Sequence, residues 1–454
     1  MRERERSDGQ AAEADRHERV ERREGEREPH RARSRDVPAS PLGYSGSMRT
    51  AAPTRLDPVV RDASRVLEGN WCTGRTSAGR PFAFTAPDIR KFPAQFYWDS
   101  CFHAIAWAAV DPRRARAELR TLLAAAEPDG FIGHTIFWDA PVRLSRRAFY
   151  NLVSGRDRMT RTIHPPLLAF AWEIVADASA DDPGFRGEGL ERLAAHYDWL
   201  HSHRDPGATG LLALIQPDES GLDASPKFDA RLRWQAHGLP GFVALVRRNR
   251  RDRFRLDRIR ARGGFVVHEV LTNVAYALST AALARMGGGA RFAGRATQTE
   301  HALLAHCWDE RTGLFADGPR SGRREVSTWA ALAPLALPGL PAPIAARLAD
   351  EHLLDRRRYW RRFPVPSTSV EEPSYRPRTG FPYRYWRGPT WIASSWLLHR
   401  GLRLHGRPDA AEELAARVRA LVGQSGFREY YGPDSGIGQG ARAFGMSTLA
   451  AALS

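Results

Sequence analysis

Apolar residues recur along most of the chain at helical spacing. Leu190, Leu193, Ala194, Tyr197 and Leu200 fall at i, i+3, i+4, i+7 and i+10, one apolar stripe on an otherwise polar helix. Leu414, Val418, Leu421 and Val422 repeat this near the C-terminus. Other segments are apolar nearly all round: Phe102 to Val110, Pro165 to Trp172, and Val270 to Met286. A helix of this second kind has to be enclosed by protein. The two kinds alternate, which predicts an inner ring of enclosed helices within an outer ring of amphipathic ones. Roughly twelve helix candidates follow residue 55, enough for six hairpins closing into an all-α toroid. The strand signal is weak, and neither a dinucleotide-binding nor a Walker loop is present. One closed domain over 48–454 accounts for the length better than several small ones.

Charge changes this picture in two places. Residues 1–47 hold 11 Arg and 11 Asp plus Glu with scarcely a large apolar side chain, which predicts a disordered tail. Met48 begins a more ordinary sequence, so a genuine tail and a gene start placed too far upstream fit equally well. The net charge of +16 lies in the remainder, its most concentrated part being Arg247 to Arg262 with nine Arg and two Asp. No nucleic-acid-binding motif accompanies that run, and a solvated helix face is the favoured reading for most of it. One or two of its members could still grip a substrate carboxylate with a guanidinium fork. Only Lys91 and Lys227 are lysines. Cys72, Cys101 and Cys307 are odd in number, lack metal-ligand spacing, and read as small buried hydrophobes in a reducing compartment. Neither a signal peptide nor a membrane span is visible, so a cytoplasmic location is expected.

The chemistry is concentrated in loops. Residues 216–229 carry four carboxylates punctuated by Gly221 and Pro226, and packed carboxylates must be paired, hydrogen-bonded or functional. A second acidic loop spans Phe427 to Gly436, and aromatic motifs stand at Phe96 to Asp99 and at Tyr385 to Trp391. Acids on loops beside Trp and Tyr suit a site that stacks sugar rings and moves protons. Glycoside hydrolysis needs one carboxyl protonated to serve the leaving oxygen and one ionised to activate water. Asp223, between Leu222 and Ala224, has a partly apolar setting that would raise its pKa; Glu429 is flanked by Arg428 and Tyr430-Tyr431, which would hold it ionised if they point inward.

These motifs carry a resemblance. Phe96-Tyr97-Trp98-Asp99-Ser100-Cys101-Phe102-His103, Asp218-Glu219-Ser220-Gly221-Leu222-Asp223-Ala224-Ser225-Pro226, Tyr385-Trp386-Arg387-Gly388-Pro389-Thr390-Trp391 and Glu429-Tyr430-Tyr431-Gly432-Pro433-Asp434-Ser435-Gly436 resemble glycoside hydrolase family 63, with Phe363 to Ser367 in support. Within it the chain is similar to the bacterial mannosylglycerate and glucosylglycerate hydrolases, from about residue 56 to the C-terminus. The resemblance implies an (α/α)6 barrel and an inverting mechanism without organic cofactor or catalytic metal. It places the general acid at Asp223 and the general base at Glu429, and matches Trp98, Asp99, Trp386, Arg387 and Trp391 to sugar-holding positions. The charged tail has no counterpart in it.

Gln216 is a further substrate-binding candidate, and Tyr385 either lines the pocket or is a buried phenol bonded to backbone. Trp98, Trp386 and Trp391 each offer a flat face to a sugar, and Arg387 could meet Asp99, Asp223 or an acidic aglycone. Asp223 could instead cap a helix entering at Ala224. His103 and His134 read as satisfied core or supporting residues, Trp107, Trp172 and Trp329 as core, and Asp229 and Asp434 as loop ties to backbone N–H groups. The expected substrate is a small α-linked glycoside such as glucosylglycerate or mannosylglycerate. An α-glucosidase or trehalase-like hydrolase of neutral sugars and a non-catalytic carbohydrate binder are the alternatives.

Overall fold

The computed structural model of the protein describes residues 57–138, 159–232, 239–318, 325–378 and 385–453. The charged stretch 1–47 lies outside the described residues, as does the start at Met48.

Among the described residues, six helical segments close a ring. They are α2 (Tyr97–Ala108), α4 (Leu168–Asp177), α8 (Val270–Arg285), a 3-10 helix (Trp329–Ala336), α11 (Ile392–Leu404) and a second 3-10 helix (Gly445–Ala452). Each packs on the next, and Gly445–Ala452 returns to α2. These are the all-round apolar stretches: Tyr97 to Trp107 is buried without a break, as is Trp329 to Ala336. The outer layer is α1 (Pro58–Gly69), α3 (Pro112–Ala124), α5 (Leu190–Arg204), α9 (Ala290–His306), α10 (Ala342–Ala346, running on through Arg347–Leu353) and α12 (Pro408–Ser425). Their stripes face inward, with Leu193, Tyr197 and Leu200 buried on α5 and Leu414, Val418, Leu421 and Val422 on α12. The alternation of inner and outer members is the (α/α)6 barrel that the periodicity predicts.

Local chemistry sets the helix starts. Asp57 and Asp111 accept from Val59 N and Arg113 N, each followed by a proline at the first helical position. Glu269 caps α8 by accepting from Thr272 N at 2.6 Å. The two sides of the ring are unlike. Turns from inner to outer helices are mostly short, as at Ala109–Asp111, Met286–Gly289, Leu337–Pro341 and His405–Arg407. Connections from outer to inner helices are long and lie over the N-terminal ends of the inner ring. Short antiparallel pairings stitch them together: Gln95 with Ile136, Thr328 with Thr368, Pro366 with Thr390, Thr390 with Tyr431, and Tyr430 with Gln439. One connection carries α6 (Leu239–Arg251) and α7 (Leu256–Ala261). There the arginine run lies largely exposed while Leu256 and Ile259 pack on Ala213 and Ile215, the solvated face expected of it.

Of the three free cysteines, Cys101 and Cys307 are buried and Cys72 only partly so. Among the described residues no helix is long and apolar enough to cross a membrane.

Candidate active site

The acid loop is pinned at three points, and Asp223 lies among them. Glu219 is fully buried, pairs with Arg204 and accepts from Ile163 N (2.9 Å) and Ile215 N (2.7 Å). Lys227, also buried, pairs with Glu269 and with Asp317 at 3.3 Å, which ties the loop to the start of α8. Arg387 grips Asp229 with both guanidinium nitrogens (2.6 and 3.0 Å) and donates to Ala224 O at 3.0 Å. The carboxylate that Arg387 grips is Asp229, where Asp99 or Asp223 was expected: it clamps the loop that presents Asp223. Asp229 and Asp434 likewise take guanidinium partners, Arg387 and Arg361, in place of the expected backbone N–H groups. Gly221, at φ 70°, lets the loop cross Trp98; a Cβ there would stand 2.6 Å from the indole. No helix begins at Ala224, so Asp223 caps nothing.

Asp223 is accessible to solvent although Leu222 and Ala224 beside it are buried. Desolvation by the surrounding protein, with the charge of Glu429 adding and a backbone hydrogen bond opposing, pushes its carboxyl up to about 6. Asp99 stands in the first turn of α2, not on a loop as expected, and is 5% exposed. Burial raises it to about 6; His103 opposes the shift, and Glu429 and Glu118 add to it. Glu429 thus acts electrostatically on both aspartates, which brings together three acids remote in sequence, one from a helix start and two from connections. Asp218 is pushed up to about 7 by burial and by Glu219, with Asp223 adding and a hydrogen bond from Gln216 opposing.

Glu429 is buried, and its Oε2 accepts from Lys91 Nζ and from Ala441 N, both at 2.8 Å. Among the described residues no donor reaches Oε1. Arg428 and Tyr431, expected to orient this acid, brace the loop instead: Arg428 donates to Ala441 O and Gly440 O, and Tyr431 to Gly426 O. Lys91 is the orienting cation that sequence reasoning missed. Its signal was present, because in so arginine-rich a chain both lysines stand beside site-end carboxylates.

The aromatic side is a packed stack. Trp386, held at φ 56°, lies 4.0 Å from Trp391 at 12°, and Trp98 and Trp329 are each 6.2 Å from it. Left-handed backbone in a residue this bulky is strained and over-determined by its surroundings. Trp391 packs against Trp386, Tyr430 (5.0 Å) and Phe444 (6.2 Å), and all three site tryptophans are buried. Trp329 joins this cluster from the core. Tyr385 is half-buried, with its ring edge-on to Tyr430 and Lys91 Nζ 5.8 Å from it.

Gln216 is fully buried and donates to Asp218 at 3.0 Å. His134 stacks on His164 (3.7 Å) with its Nδ1 3.8 Å from Asp218, and burial lowers both rings so that they are neutral. His103 was expected to be satisfied. It is wholly buried with neither ring nitrogen hydrogen-bonded, and Glu118 Oε1 is 3.8 Å away. Among the described residues no cluster of three or more His, Cys, Asp or Glu side chains could hold a metal ion.

Comparison with known proteins agrees with this architecture. Residues 92–447 match the mannosylglycerate hydrolase MGH1-like glycoside hydrolase domain. The chain is 28% identical over 440 residues to a mannosylglycerate hydrolase of Rubrobacter radiotolerans, covering 86% of this chain and 95% of that one. It is 25% identical over 441 residues to a glucosylglycerate hydrolase of Mycolicibacterium hassiacum, covering 85% and 94%. It superposes with a TM-score of 0.74 and 28% identity on the crystal structure of a GH63 mannosylglycerate hydrolase from Thermus thermophilus in complex with Tris and D-glycerate, covering 87% and 99%. The chain belongs to the MGH1-like glycoside hydrolases, and it is a glycosidase built on an (α/α)6 barrel.

Proposed function

We propose that the protein hydrolyses a small α-linked glycoside of glycerate, glucosyl or mannosyl, with inversion at the anomeric carbon. Asp223 is the general acid and Glu429 the general base. The observation that carries this reading is the asymmetry of Glu429: both donors hold Oε2, leaving Oε1 for a water, while its charge is felt by the accessible, up-shifted Asp223. Asp223 delivers its proton to the glycosidic oxygen as the C–O bond breaks, and glycerate leaves as an alcohol. Glu429 Oε1 takes a proton from the water, whose oxygen bonds to the anomeric carbon from the opposite face. Exchange with solvent then restores both protonation states. Asp99 accepts from sugar hydroxyls beside Trp98 and Trp386, and the relatives named for glycerate substrates support an acidic aglycone. The three free cysteines suit a cytoplasmic setting.

Proton NMR of the first-formed sugar from α-glucosylglycerate and α-mannosylglycerate tests the reaction. The β-anomer is expected first, and an α-anomer ends the inverting reading. Asp223→Asn and Glu429→Gln should each lower kcat by about 10³-fold or more at unchanged fold. Ordinary turnover in either removes its role. Because the acid must be protonated, kcat/KM should fall as pH rises through about 6.

A further inference from the structure

Arg387 is fixed at both ends. On its backbone side, Trp386 O accepts from Thr368 Oγ1 at 3.0 Å and Arg387 O from Arg376 N at 2.6 Å, while Gly388 N donates to Ser367 Oγ at 2.9 Å. Trp386, at φ 56°, turns the chain there, so one residue lends its indole to the aromatic stack and the next reaches the acid loop. At the far end Nη1 and Nη2 donate to the two oxygens of Asp229, and Nε donates to Ala224 O at 3.0 Å. Asp223 and Ala224 are the central residues of a turn closed by Ser225 N on Leu222 O at 2.9 Å. The peptide that joins Ala224 to Ser225 is therefore held on both sides, its N–H by Leu222 and its carbonyl by Arg387. Ahead of the turn, Gly221 lies against the Trp98 indole. The acid is thus carried by a four-residue turn braced from two directions.

We propose that Arg387 is a positioning residue for proton delivery to the leaving group: by fixing this turn it holds the Asp223 carboxyl in place relative to the tryptophan stack on which its own segment is anchored. The proposal rests on the reading of Asp223 as the acid. Its consequence is a dependence on the leaving group. Glycerate departs as an alcohol only if a proton reaches the glycosidic oxygen as the C–O bond breaks. Fluoride departs with the C–F bonding pair and needs no proton. A misplaced acid therefore slows a glycerate glycoside and spares the glycosyl fluoride of the same sugar. Weaker sugar binding, or a general loosening of the site, slows both.

The test compares α-glucosylglycerate with α-glucosyl fluoride, or the mannosyl pair where the wild type prefers it. Arg387→Met should lower kcat about 10²-fold on the glycerate glycoside and no more than about threefold on the fluoride. Asp229→Ala, which removes the acceptors that orient the guanidinium, should show the same split at about tenfold. Arg387→Lys, which keeps a donor, should recover part of the loss. Equal losses on the two substrates in Arg387→Met overturn the proposal, as do equal losses in Asp229→Ala should Arg387→Met fail to fold. Asp223→Asn is assayed on the same pair. If it loses both substrates equally, or neither, the acid assignment falls; if it alone shows the split, only the role of Arg387 falls.

Discussion

The two ends of the inner ring are built from the same helices and carry opposite chemistry. At the N-terminal ends stand Asp99 in the first turn of α2, Asp218, Asp223 and Glu429 on long stitched connections, and the tryptophan stack. At the C-terminal ends a cavity of about 760 Å³ is lined by Ile105, Phe170, Leu278 and Trp396 together with Arg285, Arg400 and Arg403. Helix dipoles account for much of this division, because N-terminal ends favour carboxylates and C-terminal ends favour cations. Arg285 is paired with Glu173, and Arg400 lies over the rings of Phe170 and Trp396. Arg285 and Arg400 thus have partners of their own within the protein. That opening is therefore a poor guide to the site; the acids with raised pKa values and convergent donors are the better one.

The contrast can be broken by experiment. Lys91→Met at the acidic end should have the largest effect. With one of its two holds on Oε2 gone, Glu429 is expected to lose its alignment, so that kcat drops by about 10²-fold in steady-state assays while KM changes little. Equal changes in both constants would make Lys91 a substrate-binding group. Asp99→Asn reads the same end through stability. The folded value near 6 exceeds the usual 3.8, so the charge costs the fold on the order of 2–3 kcal/mol above pH 6. Protonation relieves this cost: stability is full below about 4 and falls as pH rises through 6. Calorimetry should find the variant melting higher than wild type at pH 8, with the gap closing toward pH 4. A constant gap would remove the titration as its cause. Arg400→Ala at the other end should cost about 0.5–1 kcal/mol in denaturant melts and leave turnover unchanged. A large activity loss there would erase the division of labour.

Much of the ring was legible in the chain. Uninterrupted apolar runs such as Val270 to Met286 can only be enclosed, and striped runs such as Leu190 to Leu200 can only border solvent on one side. The acid motifs were legible too, because packed carboxylates beside Gly221 and Pro226 must be paired, hydrogen-bonded or functional. Side-chain direction was not. Lys91 and Glu429 meet across 338 positions, and Arg387 turns toward Asp229 across 158. Spacing says nothing of such meetings. Trp391 shows the same gap: its motif marks it as part of the site, but only packing reveals the rings against which it lies. His103 is the sharpest case, since an apolar helix face predicts a quiet imidazole and the fold leaves both nitrogens unbonded beside Glu118.

Because the last helical segment, Gly445–Ala452, seals against α2 from the start of the described chain, the machinery is divided over nearly the whole polypeptide. No contiguous piece shorter than Lys91 to Glu429 holds both acids with the lysine and tryptophans that serve them. A truncated or partly assembled molecule therefore has nothing with which to attack a sugar indiscriminately, and catalysis itself reports that the circle has been completed.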